Sequence, residues 1–187
     1  NITPDWTGGV KNTFKYKNFS LSALVDIQKG GDVFSLDTWY GYATGLYDFT
    51  AGTNELGNPV RNSNATGGGV ILPGVQANGT PNTVRAAANT YANPWGYARA
   101  ANSQHVYDAS FVKLREFAIG YTVKGSALPG LSKVVKTMNA RIIGRNLLTF
   151  TKYSGYDPEV GSIRSPFDDT GSYPNYRNVA FSLSFDF

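Results

Sequence analysis

The last ten residues alternate without interruption. From Asn178 the chain reads Asn-Val-Ala-Phe-Ser-Leu-Ser-Phe-Asp-Phe. Successive side chains of a strand point to opposite faces. Val179, Phe181, Leu183, Phe185 and Phe187 therefore share one face, and Asn178, Ala180, Ser182, Ser184 and Asp186 share the other. One face is aromatic and apolar; the other is small and polar. Such a segment is a strand between two unlike environments. Counted from Arg177, it has the roughly 9–11 residues with which a tilted strand crosses a bilayer.

Four more segments carry related patterns. In 19–35, Leu21, Ala23, Val25 and Ile27 oppose Ser20, Ser22, Asp26 and Gln28, with Leu24 an exception. In 6–16, Val10, Phe14 and Tyr16 oppose Lys11, Thr13 and Lys15. Lys17-Asn18 between them predicts a two-residue hairpin, with Asn tolerating a positive φ. In 106–123, Val112 and Leu114 oppose Phe111, Lys113 and Arg115, but beyond Glu116 the apolar set becomes Phe117, Ile119 and Tyr121. A β-bulge near Glu116 accounts for that change of phase; a strand buried on both faces is the alternative. In 139–152, Ile142, Leu148 and Phe150 oppose Arg141, Arg145, Thr149 and Thr151. The expected strands are 6–16, 19–35, 106–123, 139–152 and 177–187.

The links between them alternate in length. Lys17-Asn18 and 124–138 are short, the latter with room for a helical turn at Leu131–Lys136; 36–105 and 153–176 are long. Outer-membrane barrels have this asymmetry, with short periplasmic turns and long extracellular loops. Aromatic residues mark both strand ends: Tyr16, Phe19, Tyr121, Phe185 and Phe187 on the short-link side; Trp6, Phe34, Tyr107, Phe111, Phe150 and Tyr153 on the long-link side. Two aromatic girdles suit strands crossing two membrane interfaces. The fold class expected is all-β, an antiparallel transmembrane β-barrel segment. Five strands cannot close, because small membrane barrels need about eight and open edges cannot face lipid. The chain is thus expected to be the C-terminal part of a larger barrel, with 36–105 and 153–176 as extracellular loops. The rival is a secreted soluble β-sandwich binding carbohydrate.

Composition narrows the chemistry. Charged residues make up 16%, against about 25% in an average soluble domain. Absence of Cys excludes disulfides and thiolate chemistry, and the single His105 limits any Ser–His pair. The net charge of +4 is scattered, which argues against nucleic acid. No run of ~18 apolar residues exists for a membrane helix, and a signal peptide is expected to be absent or already removed.

Four stretches stand out: Val106-Tyr-Asp-Ala-Ser-Phe-Val-Lys-Leu-Arg-Glu-Phe-Ala-Ile-Gly-Tyr-Thr, Gly144-Arg-Asn-Leu-Leu-Thr-Phe-Thr-Lys-Tyr-Ser-Gly-Tyr-Asp-Pro-Glu-Val, the opening Thr3-Pro-Asp-Trp-Thr-Gly-Gly, and the ending from Tyr173-Pro through Arg177-Asn to Phe187. Together they resemble the late barrel of SusC/RagA-type TonB-dependent outer-membrane transporters. The resemblance covers most of the five strands and weakens through 36–105. It implies a 22-stranded barrel whose plug domain lies outside this chain, energised by the TonB complex through that N-terminal part. It further implies a SusD-like surface lipoprotein partner and import of oligosaccharides or peptides. The setting it implies is the outer membrane of a Gram-negative, Bacteroidetes-type bacterium; no enzyme is implied.

The candidate sites follow. Phe181, Leu183, Phe185 and the terminal Phe187 resemble the signal read by the barrel-assembly machinery, besides serving as girdle residues. Lys113, Arg115, Arg141 and Arg145 share the proposed lumen-facing sets and are candidates for plug contact; the alternative is charge kept off the lipid face. Trp39, Tyr40, Trp95, Tyr156, Asp157 and Glu159 are extracellular-loop candidates for ligand or partner binding. Trp39, Tyr40, Tyr42, Tyr47, Tyr91, Trp95 and Tyr97 can equally form a mini-core of the long loop. Asp157 and Glu159 suit a loop turn first, and calcium or partner contact second. No other cofactor and no catalytic set is expected. Gly67-Gly-Gly69 lacks the Lys of a phosphate loop and reads as flexible. Asn64-Ala-Thr and Asn78-Gly-Thr match glycosylation sequons.

Overall fold

The computed structural model describes residues 1–90, 93–131, 133–155, 157–159 and 175–187. In chain order these form β1 (Trp6–Tyr16), β2 (Phe19–Lys29), β3 (Asp32–Phe34), α1 (Leu36–Thr44), β4 (Val70–Ile71), β5 (Arg85–Ala86), β6 (Val106–Asp108), β7 (Phe111–Lys124), β8 (Thr137–Thr151) and β9 (Asn178–Asp186). The described residues fall into two compact units, one drawn from 1–32, 108–159 and 175–187, the other from 33–107.

The first unit is one antiparallel sheet in the order β1-β2-β7-β8-β9. The register sorts the sequence patterns into rows. Phe14, Leu21, Ile119, Ile142 and Phe181 lie side by side across all five strands. The next row is Lys15, Ser20, Gly120, Arg141 and Ser182. Apolar and polar rows thus alternate down the sheet and build one apolar face and one polar face. The apolar face is bare: Val179 is 73% exposed, Phe181 69% and Phe150 64%.

Two expected strands are interrupted. The segment 19–35 stops at Lys29, because Gly30 and Gly31 take φ of 77° and 81°, outside the strand region, before β3 resumes. The segment 106–123 breaks after Asp108, whose carboxylate accepts the Ser110 N–H at 2.8 Å. The pieces before and after these breaks pair separately: β3 with β6, and β2 with β7. At the hairpin, Lys17 and not Asn18 takes the positive φ, at 52°. In the other short link a 3₁₀ turn occupies Gly125–Ala127, and Val135 N–H returns to the Leu131 carbonyl at 2.8 Å.

The second unit shows that 36–105 is more than a link. Helix α1 is capped by Ser35, whose side chain accepts from Thr38 N–H, and ends at left-handed Gly45. Its core mixes Val33, Ala43, Val60 and Ala88 with buried Ser35, Thr38, Thr50, Asn93 and His105. Asn93 is a structural hub: its amide donates to the Ala43 carbonyl at 2.7 Å, and its oxygen accepts from Gly96 N–H at 3.0 Å. Asn54, Asn78 and Asn82 accept backbone N–H groups two residues ahead, the local bonding that makes Asn a turn former. Gly67-Gly-Gly69, read as flexible, is a defined turn. Gly68 donates to the Ser63 carbonyl at 2.9 Å, and a Cβ there would fall 2.0 Å from the Asn62 carbonyl oxygen.

Candidate functional site

The polar face is organised by an irregularity in β7. Leu24 pairs with Glu116 and Val25 with Leu114, so Arg115 has no partner on β2. The β8 register skips it as well, Leu114 facing Leu148 and Glu116 facing Arg145. This extra residue is the bulge that the change of phase predicts. It keeps Val112 and Leu114 in the same apolar face as Phe117, Ile119 and Tyr121. It also turns two consecutive side chains, Arg115 and Glu116, toward the polar face.

Three cations gather there. Arg115 donates to the Asp26 carboxylate from Nε at 3.0 Å and Nη2 at 2.9 Å, and also bonds Glu159. Lys113, only 2% exposed, places its ammonium between Asp157 and Glu159. Its Nζ lies 4.7 Å above the Phe111 ring centroid, a further favourable contact for a buried cation. Arg145 reaches Glu116 at 3.2 Å in a more exposed pair. Asp157 and Glu159 come from the segment after β8, so the network clasps that segment to the sheet. Glu159 N–H and Asn175 Nδ2 complete the Asp157 carboxylate at 3.0 and 3.3 Å. Burial alone would push the Asp157 carboxyl up. The Lys113 ammonium, with the Glu159 N–H and Asn175, outweighs it and holds the group below the ordinary carboxylate range. A buried ammonium without such partners would be strongly unfavourable.

No protein-family model matches the chain. TonB-dependent receptor P3 of Formosa agariphila is 30% identical over 193 residues, covering 99% of this chain and 16% of that receptor. TonB-dependent receptor P39 of the same organism is 27% identical over 193 residues, covering 100% of this chain and 16% of its own length. The chain is similar to one part of these TonB-dependent receptors. It spans 16% of the length of these two relatives. The RagAB peptide importer gives the fold. Its open-open state matches with a TM-score of 0.63 and 21% identity over 100% of this chain and 17% of that one. Its closed-closed state matches with a TM-score of 0.63 and 21% identity over 98% and 17%.

In a TonB-dependent receptor barrel the bare apolar face is the lipid-facing side and the polar face lines the lumen. The five strands match the barrel of these neighbours and not the two packed sheets of a soluble sandwich. Phe181, Leu183 and Phe185 lie on the lipid-facing side of β9, and Phe187 follows. At the short-link end Tyr16, Phe19 and Tyr121 form a girdle row, with the Phe19 and Tyr121 rings 4.6 Å apart. At the other end only part of the expected girdle holds. Trp6 and Phe150 are exposed, but Phe111 and Tyr153 are buried, and Phe111 lies beneath the clasp cations. Strand parity already set Phe111 opposite Val112; end position was the weaker guide.

The structure joins residues that the sequence presents as separate groups. Lys113 and Arg115 meet Asp157 and Glu159, whereas Arg141, facing Gly120, stands apart, four register positions from Arg145 toward the short links. Asp26 and Glu116 complete the network; their polar-face parity was the available signal. Tyr156, and Tyr91 of the long link, lie outside the described residues. In the second unit Trp39 packs against Tyr40 and Tyr97 at 4.9 and 5.0 Å, and Tyr40 remains 53% exposed. Trp95 packs against Phe49 at 6.0 Å and beneath Arg61. His105 is buried, its Nδ1 3.0 Å from the Thr38 hydroxyl, and burial pulls its pKa down. Among the described residues, no three His, Asp or Glu side chains are grouped to hold a metal ion.

Proposed function

We propose that this chain forms five strands of the wall of an outer-membrane importer, driven through TonB and working with a SusD-like surface lipoprotein in a Bacteroidetes-type bacterium. Its cargo would be an oligosaccharide or a peptide, and no catalytic step is involved. The observation that carries the reading is the single exposed apolar face running unbroken across five strands, backed by polar residues. Soluble proteins seldom leave so large an apolar patch bare. In this reading Trp39, Tyr40 and Trp95 sit on an outward loop where cargo or the lipoprotein docks, and Phe181, Leu183, Phe185 and Phe187 present the assembly signal. Expression of the complete gene tests it: the product fractionates with outer membranes and needs detergent for extraction. A complete product that folds and stays soluble without detergent overturns it. Removing Phe187 from the complete receptor lowers the amount inserted in the outer membrane, read by immunoblot of membrane fractions; unchanged insertion removes the assembly role.

A further inference from the structure

Near its long-link end the lipid-facing side is hollowed into a groove of about 410 Å³. Ile27 and Val112 form its floor, in one row with Gly8 and Phe150. Trp6 and Phe150, both exposed, wall it. A Cβ at Gly8 would fall 3.1 Å from the Trp6 ring, so glycine there lets the indole lie along the sheet.

The next row toward the long links is charged. Trp6 faces Lys29. Gln28 faces Phe111, and Phe111 faces Thr151; one place further, Lys29 and Lys152 flank Ser110. Ser110 ties the strand ends together, its hydroxyl accepting the Gly30 N–H and its carbonyl accepting the Thr151 hydroxyl, each at 2.8 Å. The two lysines are thus two strands apart, about 10 Å at the usual ~4.8 Å strand spacing. Their flexible stems let both ammonium groups reach one point between them. Both lysines are exposed, and among the described residues neither is in an ion pair. Asp108 also lines the groove, but its Oδ1 already takes the N–H and the hydroxyl of Ser110. Two ammonium groups against one carboxylate leave the rim positive.

We propose that this groove binds a phosphorylated membrane lipid, with Lys29 and Lys152 holding the phosphate and one acyl chain lying over Ile27 and Val112 between Trp6 and Phe150. The inference rests on the barrel reading above. A lone lysine at the edge of a lipid-facing surface needs only to lift its ammonium into water. Two in one row above an apolar hollow match the order of an anionic headgroup and the hydrocarbon beneath it. Lysines beside a membrane surface attract such headgroups, and the groove is continuous with the face that meets lipid.

The test is photo-cross-linking of the complete receptor in vesicles of phosphatidylcholine containing a minor share of phosphatidic acid. Benzoylphenylalanine replaces Phe150 on the groove or, as a reference, Ile142 on the same face nearer the short links. Linked lipids are identified by mass spectrometry. At Phe150 phosphatidic acid is expected at least about fivefold above its share of the vesicle, because each lysine near the surface favours an anionic headgroup; at Ile142 it matches that share. K29Q/K152Q returns Phe150 to the vesicle share, and K29R/K152R keeps the enrichment. Four results overturn the proposal: no enrichment at Phe150, enrichment unchanged in the Gln variant, equal enrichment at Ile142, or a link from Phe150 to a second protein in place of lipid. Lipid links at Ile142 and heat-dependent gel mobility of the same samples report the barrel. Failure of the groove in an intact barrel is thereby distinguished from failure of the barrel reading.

Discussion

The two ends of the inner face hold similar numbers of basic residues and treat them in opposite ways. Toward the long links, Lys113, Arg115 and Arg145 each meet a carboxylate of this chain, and Lys113 is buried in doing so. Toward the short links, Lys15, Lys124 and Arg141 remain exposed and outside any ion pair among the described residues. The difference comes from a returning segment. After β8 the chain folds back and delivers Asp157 and Glu159 to one end only. Basic residues at equivalent strand positions thus become part of the wall at one end and a charged surface at the other.

The strongest way to break this comparison is to remove one cation from each end. Lys113→Met in the complete receptor leaves Asp157 buried without its ammonium, and loss of one partner of a buried pair costs about 3–5 kcal/mol. Lys15→Met changes an exposed side chain, and such changes stay within about 0.5 kcal/mol. Unfolding of the folded barrel by denaturant in detergent measures both, and equal losses would erase the distinction.

Acid sharpens it further. The Asp157 carboxyl has a folded-state pKa below its unfolded value. Its contribution is therefore fully present above the unfolded value near ~3.9 and is lost as pH falls through the lower folded value. Acid titration of stability should show that loss in the wild type, with a shallower loss in Asp157→Asn. Identical acid limbs would mean the clasp contributes nothing. The smallest effect belongs to the most exposed of the three clasp cations, Arg145, 54% exposed opposite Glu116. Arg145→Gln costs less than about 1 kcal/mol, measured by the same unfolding and diminishing further with salt.

Much of the wall was legible in the sequence, since strands of period two announce their faces. Phe14, Leu21, Ile142 and Phe181 were all assigned by parity to the apolar face they occupy. Even the bulge was readable, because an inserted residue must reverse the parity of everything beyond it. The clasp was not. Asp157 and Glu159 sit beside Pro158 in a turn-forming stretch, and nothing local says which cation a returning segment will reach. The second unit was read as a loop for a related reason. It is held by Asn side chains bonded to backbone, as Asn93 is to Ala43, and such bonding leaves no hydrophobic period to detect. The hairpin shows the limit of residue preference. Asn18 is the better left-handed residue in isolation, yet the strand register places Lys17 there.

The unpartnered Arg115 acts as a spatial frameshift. Upstream of it odd and even numbers mean one thing, and downstream the opposite. Excising that single residue would not simply delete a guanidinium. It would restore a uniform count along β7, so that either the four residues Phe111–Leu114 exchange faces or the strand slips by one place against both neighbours. In the first case Lys113 would point into hydrocarbon and Val112 into water; in the second every row above the break would be mismatched. A scan that assigns lipid and lumen positions by numbering alone will therefore invert its conclusions on crossing residue 115.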